Sequence, residues 1–237
     1  VDQTFFFQHV TELRKRLMVV LGAYVMFLIV GFLNVGAIYR WIMKEADLKL
    51  AVLGPSEILW VYFMLASTCA LACTIPLAAY HLWAFVKPAL KEHERSVTML
   101  FIPLLFILFV TGVLFGYFVV FPKVLAFVVT LSDGMFQTMF TAEKYFRFLL
   151  QLTVPLGLLF ELPAIVLFLT KLGILTPTMM TKYRKFVYLA LVILSAVLTP
   201  PDFLSQLFVL IPLFLLYELS ILLCTWVYNR GKQRSYA

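Results

Sequence analysis

The chain has 237 residues, 63% of them hydrophobic and only 13% charged, with a formal net charge of +7. A soluble globular domain carries about 25% charged residues, so this composition excludes one. The apolar runs are continuous rather than alternating, and they recur at the ~20-residue length that a bilayer core needs, which excludes a β-barrel and predicts an all-α, polytopic membrane protein.

The N-terminal stretch ends in His9-Val10-Thr11-Glu12-Leu13-Arg14-Lys15-Arg16, directly before a first predicted span at 17–39. That span is too long for a signal-peptide core and lacks a small-x-small cleavage site, so it is read as an anchor that stays. An exterior stretch of mixed charge follows from Arg40 to Glu57, and Gly54-Pro55-Ser56 turns the chain back. The second predicted span is 58–82, interrupted by Pro76, and leads into the loop Phe85-Val86-Lys87-Pro88-Ala89-Leu90-Lys91-Glu92-His93-Glu94-Arg95. The third, 97–121, holds Gly112-x-x-x-Gly116, a spacing that lets another helix approach closely; packing within the chain is the expected use. Pro122 is expected to open a second exterior stretch that lasts to Arg147.

The fourth predicted span, 148–170, contains one ionisable group, Glu161. A carboxylate at mid-bilayer costs roughly 2.5–3.5 kcal/mol on insertion scales, so it is expected to face protein or water and to serve a purpose. Pro155 and Pro163 remove two backbone donors around it, which predicts a bend. A basic loop, Lys171 to Lys185, precedes a fifth span at 186–199. Its 14 residues reach only ~21 Å, less than the hydrocarbon thickness. Thr199-Pro200-Pro201-Asp202 turns at once into the sixth, 203–228, which carries Gln206 and a second intramembrane acid, Glu218. The expectation is a single integral membrane domain over 1–237 with six spans, a short fifth helix and no internal repeat.

Orientation follows from the cations. Arg14, Lys15, Arg16, Lys87, Lys91, Arg95, Lys171, Lys182, Arg184, Lys185, Arg230, Lys232 and Arg234 fall on one side. Arg40, Lys44, Lys49, Lys123, Lys144 and Arg147 fall on the other. Thirteen against six places both termini in the cytoplasm. The basic balance therefore reports topology and contact with anionic lipid, and no nucleic-acid partner is expected. Cys69, Cys73 and Cys224 lie in apolar runs with no histidine cluster beside them, so neither a metal nor a cofactor is expected. No Ser/His pair or HExxH motif supports a hydrolase, and no enzymatic activity is expected.

Two acids stand among cations on the cytoplasmic side. Glu12 pairs at i,i+4 with Arg16 and Lys91 at i,i+3 with Glu94, each pair worth ~0.3–0.5 kcal/mol if it serves only its own helix. The order HVTELRKRL, FVKPALKEHER, FGYFVVFP, FELP, LTPPD resembles the TatC family, the polytopic subunit of the twin-arginine protein translocase, over essentially the whole chain. Val10 and Lys87 are mild departures from the family's pattern. The resemblance implies recognition of twin-arginine signal peptides and export of folded proteins across the bacterial cytoplasmic membrane at the expense of the proton-motive force. It further implies that Glu12 and Glu94 are the recognition carboxylates, with Arg14 orienting Glu12 and with Phe85 and Pro88 shaping the loop. Glu161 corresponds to the family's intramembrane glutamate, a contact for a small single-span Tat subunit of the TatA or TatB type. Pro55 and Glu57 correspond to the first exterior loop, and Asp202 and Gln206 to the last exterior turn and sixth helix. The implied assembly contains more than one copy of the chain. Paired guanidinium forks suit two carboxylates in a way that ammonium groups do not. The alternative reading is a proton-coupled transporter of small solutes that uses Glu161 and Glu218.

Overall fold

The computed structural model describes residues 2–44, 50–86, 101–132, 139–200 and 202–235, with side chains described from Thr11 to Arg230 within them. Helix α1 is Asp2–Met43, α2 is Pro55–Val86 and α3 is Phe101–Phe115. A π-helical turn, Gly116–Val120, joins α3 to α4, Phe121–Ser132. Then come α5, Ala142–Leu159, and α6, Leu162–Lys171; α7, Pro177–Leu198; and α8, Phe203–Ser235. Among the described residues there is no strand, only one parallel bridge between Ala51 and Thr141. Taking α3–α4 and α5–α6 as continuous rods, five stretches are long and apolar enough to cross a membrane: Thr11–Met43, Pro55–Phe85, Phe101–Leu131, Ala142–Lys171 and Phe203–Arg230.

The chain divides into two compact units. In the first, Val1–Phe106 with Met139–Arg147, α1 lies along α2. A Cβ on Gly31 would stand 3.1 Å from the Ala66 carbonyl oxygen, so the two backbones approach closely there. Tyr24 and Ser67 share a hydrogen bond of 2.6 Å between the same helices. Val35, Val61, Leu65, Ala66 and Ala70 are buried. Large apolar side chains on the other faces of α1, among them Leu17, Leu21, Ile29 and Leu33, are exposed, which suits a helix whose surroundings are acyl chains.

In the second unit, Ile107–Thr138 with Phe148–Ala237, α8 packs against α4, α6 and α7. Its inward residues Val209, Leu213 and Cys224 are fully buried. The glycine pair has the expected use: a Cβ at Gly112 would stand 2.8 Å from Gly157 Cα, and one at Gly116 would stand 2.9 Å from Thr153 Cα. Small residues on both sides thus let α3 and α5 meet backbone to backbone, the means by which helices gain dispersion energy in lipid.

Three expectations need correction. Pro76 does not interrupt its span, since α2 runs unbroken from Pro55 to Val86 with that proline inside it. Pro122 does not end its helix, because the chain runs on to Ser132. In a regular helix its ring would strike the carbonyl of residue 118. The π-turn just before it, in which the Phe121 N–H reaches the Gly116 carbonyl, widens the coil at that point. The fifth helix is also longer than the 186–199 expected. It is the 22-residue α7, about 33 Å long, and only its apolar part is short. Thr176 caps it and Pro177 occupies its first turn, so helix starts well before the apolar run, in a basic segment with Lys182, Arg184 and Lys185. It is not among the five stretches apolar enough to cross a membrane.

Candidate functional site

The first group of polar residues lies where α1 begins and α2 ends. Glu12 Oε1 accepts hydrogen bonds from Arg16 Nε at 3.2 Å and Nη2 at 2.5 Å. The third edge of the same guanidinium, Nη1, donates to the His81 carbonyl oxygen of α2 at 3.2 Å. Phe85, half-buried, stands one turn beyond His81. Arg16 thus joins Glu12 to the last turns of α2, the helix that carries Phe85. Glu12 Oε2 accepts no hydrogen bond from a described residue. Arg14 is exposed and does not contact Glu12; Arg16 makes that contact instead, since i,i+4 neighbours share a helix face and i,i+2 neighbours do not. Pro88 and Glu94 lie outside the described residues.

The second group ties together the segments that lead into α2 and α5. Glu57, in the first turn of α2, is 6% exposed. Its Oε2 accepts from the Leu53 N–H at 2.7 Å, and Oε1 accepts from the Glu143 N–H at 2.8 Å, in the first turn of α5. Ala51 N–H to the Phe140 oxygen and Ala142 N–H to the Ala51 oxygen, each 2.9 Å, complete the join. One carboxylate thus serves the N-termini of two helices, where unpaired N–H groups and the helix dipole both favour negative charge. Pro55, exposed, opens α2 beside it. The sequence marked Glu57 as a loop residue but carried no sign of its partner 86 positions away.

Glu161 stands in a break. α5 stops at Leu159, the residue whose carbonyl the Pro163 ring would strike and leave without its donor. Glu161 N–H reaches back only three residues, to the Leu158 oxygen, and the next helix restarts with Ile165 N–H on the Glu161 oxygen. The expected bend is therefore a two-residue interruption. Glu161 Oε1 is shut from solvent and has no hydrogen-bond partner among the described residues. A buried carboxylate oxygen in that condition marks a polar group that awaits a partner.

Other polar residues of this part of the chain have partners among the described residues, although Asp202 Oδ2 is, like Glu161 Oε1, buried without one. Asp202 Oδ1 accepts from the Ser205 N–H at 2.8 Å and so caps α8. Gln206 Nε2 donates to the Val192 oxygen at 3.2 Å, tying α8 to α7. Glu218 does not stand alone in its span: Arg184 pairs with it, and the Tyr188 hydroxyl donates to it as well. Tyr188 in turn stacks on Phe214 at 4.5 Å. Among the described residues no cluster of three His, Cys, Asp or Glu could hold a metal.

Long apolar helices with exposed apolar faces define a multi-pass helical membrane protein. A profile of the family described as Sec-independent protein translocase protein (TatC) matches residues 8–212. The chain is 54% identical to the Bacillus subtilis (strain 168) Sec-independent protein translocase protein TatCd, covering 96% of this chain and 94% of that one. It is 39% identical to TatCy of the same organism, over 100% and 95% of the two chains. Among solved structures it matches the twin arginine translocase receptor TatC with a TM-score of 0.81 at 28% identity, over 92% of this chain and 99% of that one. The chain belongs to the TatC family of Sec-independent protein translocase proteins, components of the Tat system and transport proteins rather than enzymes.

Proposed function

We propose that the chain is the membrane-embedded receptor and core subunit of a twin-arginine translocase. It binds twin-arginine signal peptides at its cytoplasmic face and moves folded proteins across the bacterial cytoplasmic membrane, driven by the proton-motive force. The observation that carries this reading is the Glu12 carboxylate, one oxygen fixed by Arg16 beside the last turns of α2 and the other taking no hydrogen bond from a described residue. The solved relative described as a twin arginine translocase receptor supports it. The second recognition carboxylate is Glu94, with Arg14, Phe85 and Pro88 shaping the surroundings. The excess of Lys and Arg puts both termini in the cytoplasm. Glu161 is the contact for a polar residue on a small single-span Tat subunit, with Gln206 and Glu218 the other intramembrane polar positions; Asp202, Pro55 and Glu57 belong to the exterior side, and several copies of the chain assemble.

The proton-coupled transporter gains no support from Glu218, because its carboxylate is held by Arg184 and Tyr188 rather than poised alone in the span. The test of the translocase reading is a double-mutant cycle between Glu12→Ala or Glu94→Ala and Arg→Lys in a twin-arginine peptide. Each carboxylate should couple to the arginine pair by ~1–3 kcal/mol, the range for charge-assisted hydrogen bonds. Zero coupling for both, with the protein intact in membranes, would return these acids to the solvated surface.

A further inference from the structure

The guanidinium of Arg16 is committed on three edges: Nε and Nη2 to one oxygen of Glu12, Nη1 to the backbone of α2 at His81. An isolated i,i+4 pair on a helix surface touches only its own helix. This one reaches a second helix 65 positions away and stands with its side chain 23% exposed, against 44% for Glu12. A glutamate anchored in this way has little rotamer freedom left, so a ligand that binds it need not freeze the side chain. The anchored oxygen is Oε1, which leaves Oε2 as the face presented outward. A lysine at this position would be a point charge on a flexible stem and could not hold a carboxylate and a backbone oxygen in one plane.

We infer that Arg16 is the positioning residue of the recognition site: it bridges Glu12 to the end of α2 and turns Oε2 toward the incoming guanidinium, and so sets the preference for arginine over lysine in the peptide. This rests on the proposed function. Arg16 acts through Glu12 and touches no ligand itself.

The test is a cycle of Arg16→Lys and Glu12→Ala, read as the ratio of affinities of the membrane-embedded protein for a twin-arginine peptide and its twin-lysine counterpart. In the wild-type background, Arg16→Lys should lower that ratio about tenfold, roughly what is lost with one charge-assisted hydrogen bond that a planar guanidinium makes and an ammonium does not. In the Glu12→Ala background the same substitution should leave the ratio unchanged. An equal loss in both backgrounds would make Arg16 a structural residue and overturn the inference. Tighter peptide binding by Arg16→Lys would overturn it too, by showing that Arg16 competes for Glu12. If Glu12→Ala alone has no effect on the ratio, the proposed function loses Glu12 itself, an outcome distinct from failure of Arg16. Arg16→Gln, neutral and of similar reach, carries the same cycle should the lysine variant not accumulate in membranes.

Discussion

Removing the carboxylate at Glu57 should unfasten the join between α2 and α5. Its two oxygens each accept one backbone N–H, from Leu53 and from Glu143, and the residue is 6% exposed. Hydrogen bonds to a charged group contribute ~1.5–3 kcal/mol apiece, so Glu57→Ala forfeits about 3 kcal/mol at the lower end and leaves two N–H groups with water as their only recourse. Glu57→Gln should fall between, because its amide can offer one oxygen while its NH₂ faces the other N–H donor. Amide hydrogen exchange at Leu53 and Glu143 reads this directly. A local loss of about 3 kcal/mol is a fall of roughly a hundredfold in protection, confined to these two amides and to those of Ala51 and Ala142. The ranking matters as much as the size: wild type most protected, Gln next, Ala least. Protection unchanged within threefold in Glu57→Ala would refute the reasoning and make the carboxylate a bystander to a join held by Ala51 alone.

Two further outcomes follow from the packing. Gly157→Ala should lower stability in detergent by ~1–3 kcal/mol, since its Cβ would stand 2.7 Å from Val113 Cγ2 and 2.9 Å from the Phe109 ring. Gly22→Ala, with nothing within 4 Å, should be neutral or stabilising by up to ~1 kcal/mol, and unfolding midpoints of the two variants side by side check both. Arg184→Ala and Glu218→Ala should couple by about 1 kcal/mol or less, because both side chains are a third or more exposed and water screens them; the coupling should shrink further when the salt is raised.

The helices were legible because apolar runs of membrane length leave few alternatives. Proline was a weaker guide: Pro163 does interrupt its helix, whereas Pro122 is carried through by a π-turn that residue types alone do not announce. The fifth helix was under-read because hydropathy marks where lipid contact is possible, while the Thr176 cap and Pro177 decide where the helix begins. At the candidate site, helix spacing already paired Glu12 with Arg16, the neighbour on the helix face, and that contact is present, whereas the bond from the same guanidinium to the His81 carbonyl, 65 positions away, had no local sign. The partners of Glu57 and Glu218 lie 86 and 34 positions away, and nothing local encodes a pairing across that distance.

The hairpin of α7 and α8 is fastened at both ends, by Gln206 to Val192 near the turn and by Glu218 to Arg184 and Tyr188 at the far end. This bears on how the protein is made. α7 by itself is too polar in its first turns, where Lys182, Arg184 and Lys185 lie, to stand among the stretches apolar enough to cross a membrane. With α8 beside it, the Arg184 guanidinium has its carboxylate and the Val192 carbonyl gains a second side-chain donor besides Ser195. The fifth helix is therefore expected to settle in the bilayer only together with the sixth, and a chain cut before α8 should leave α7 out of it.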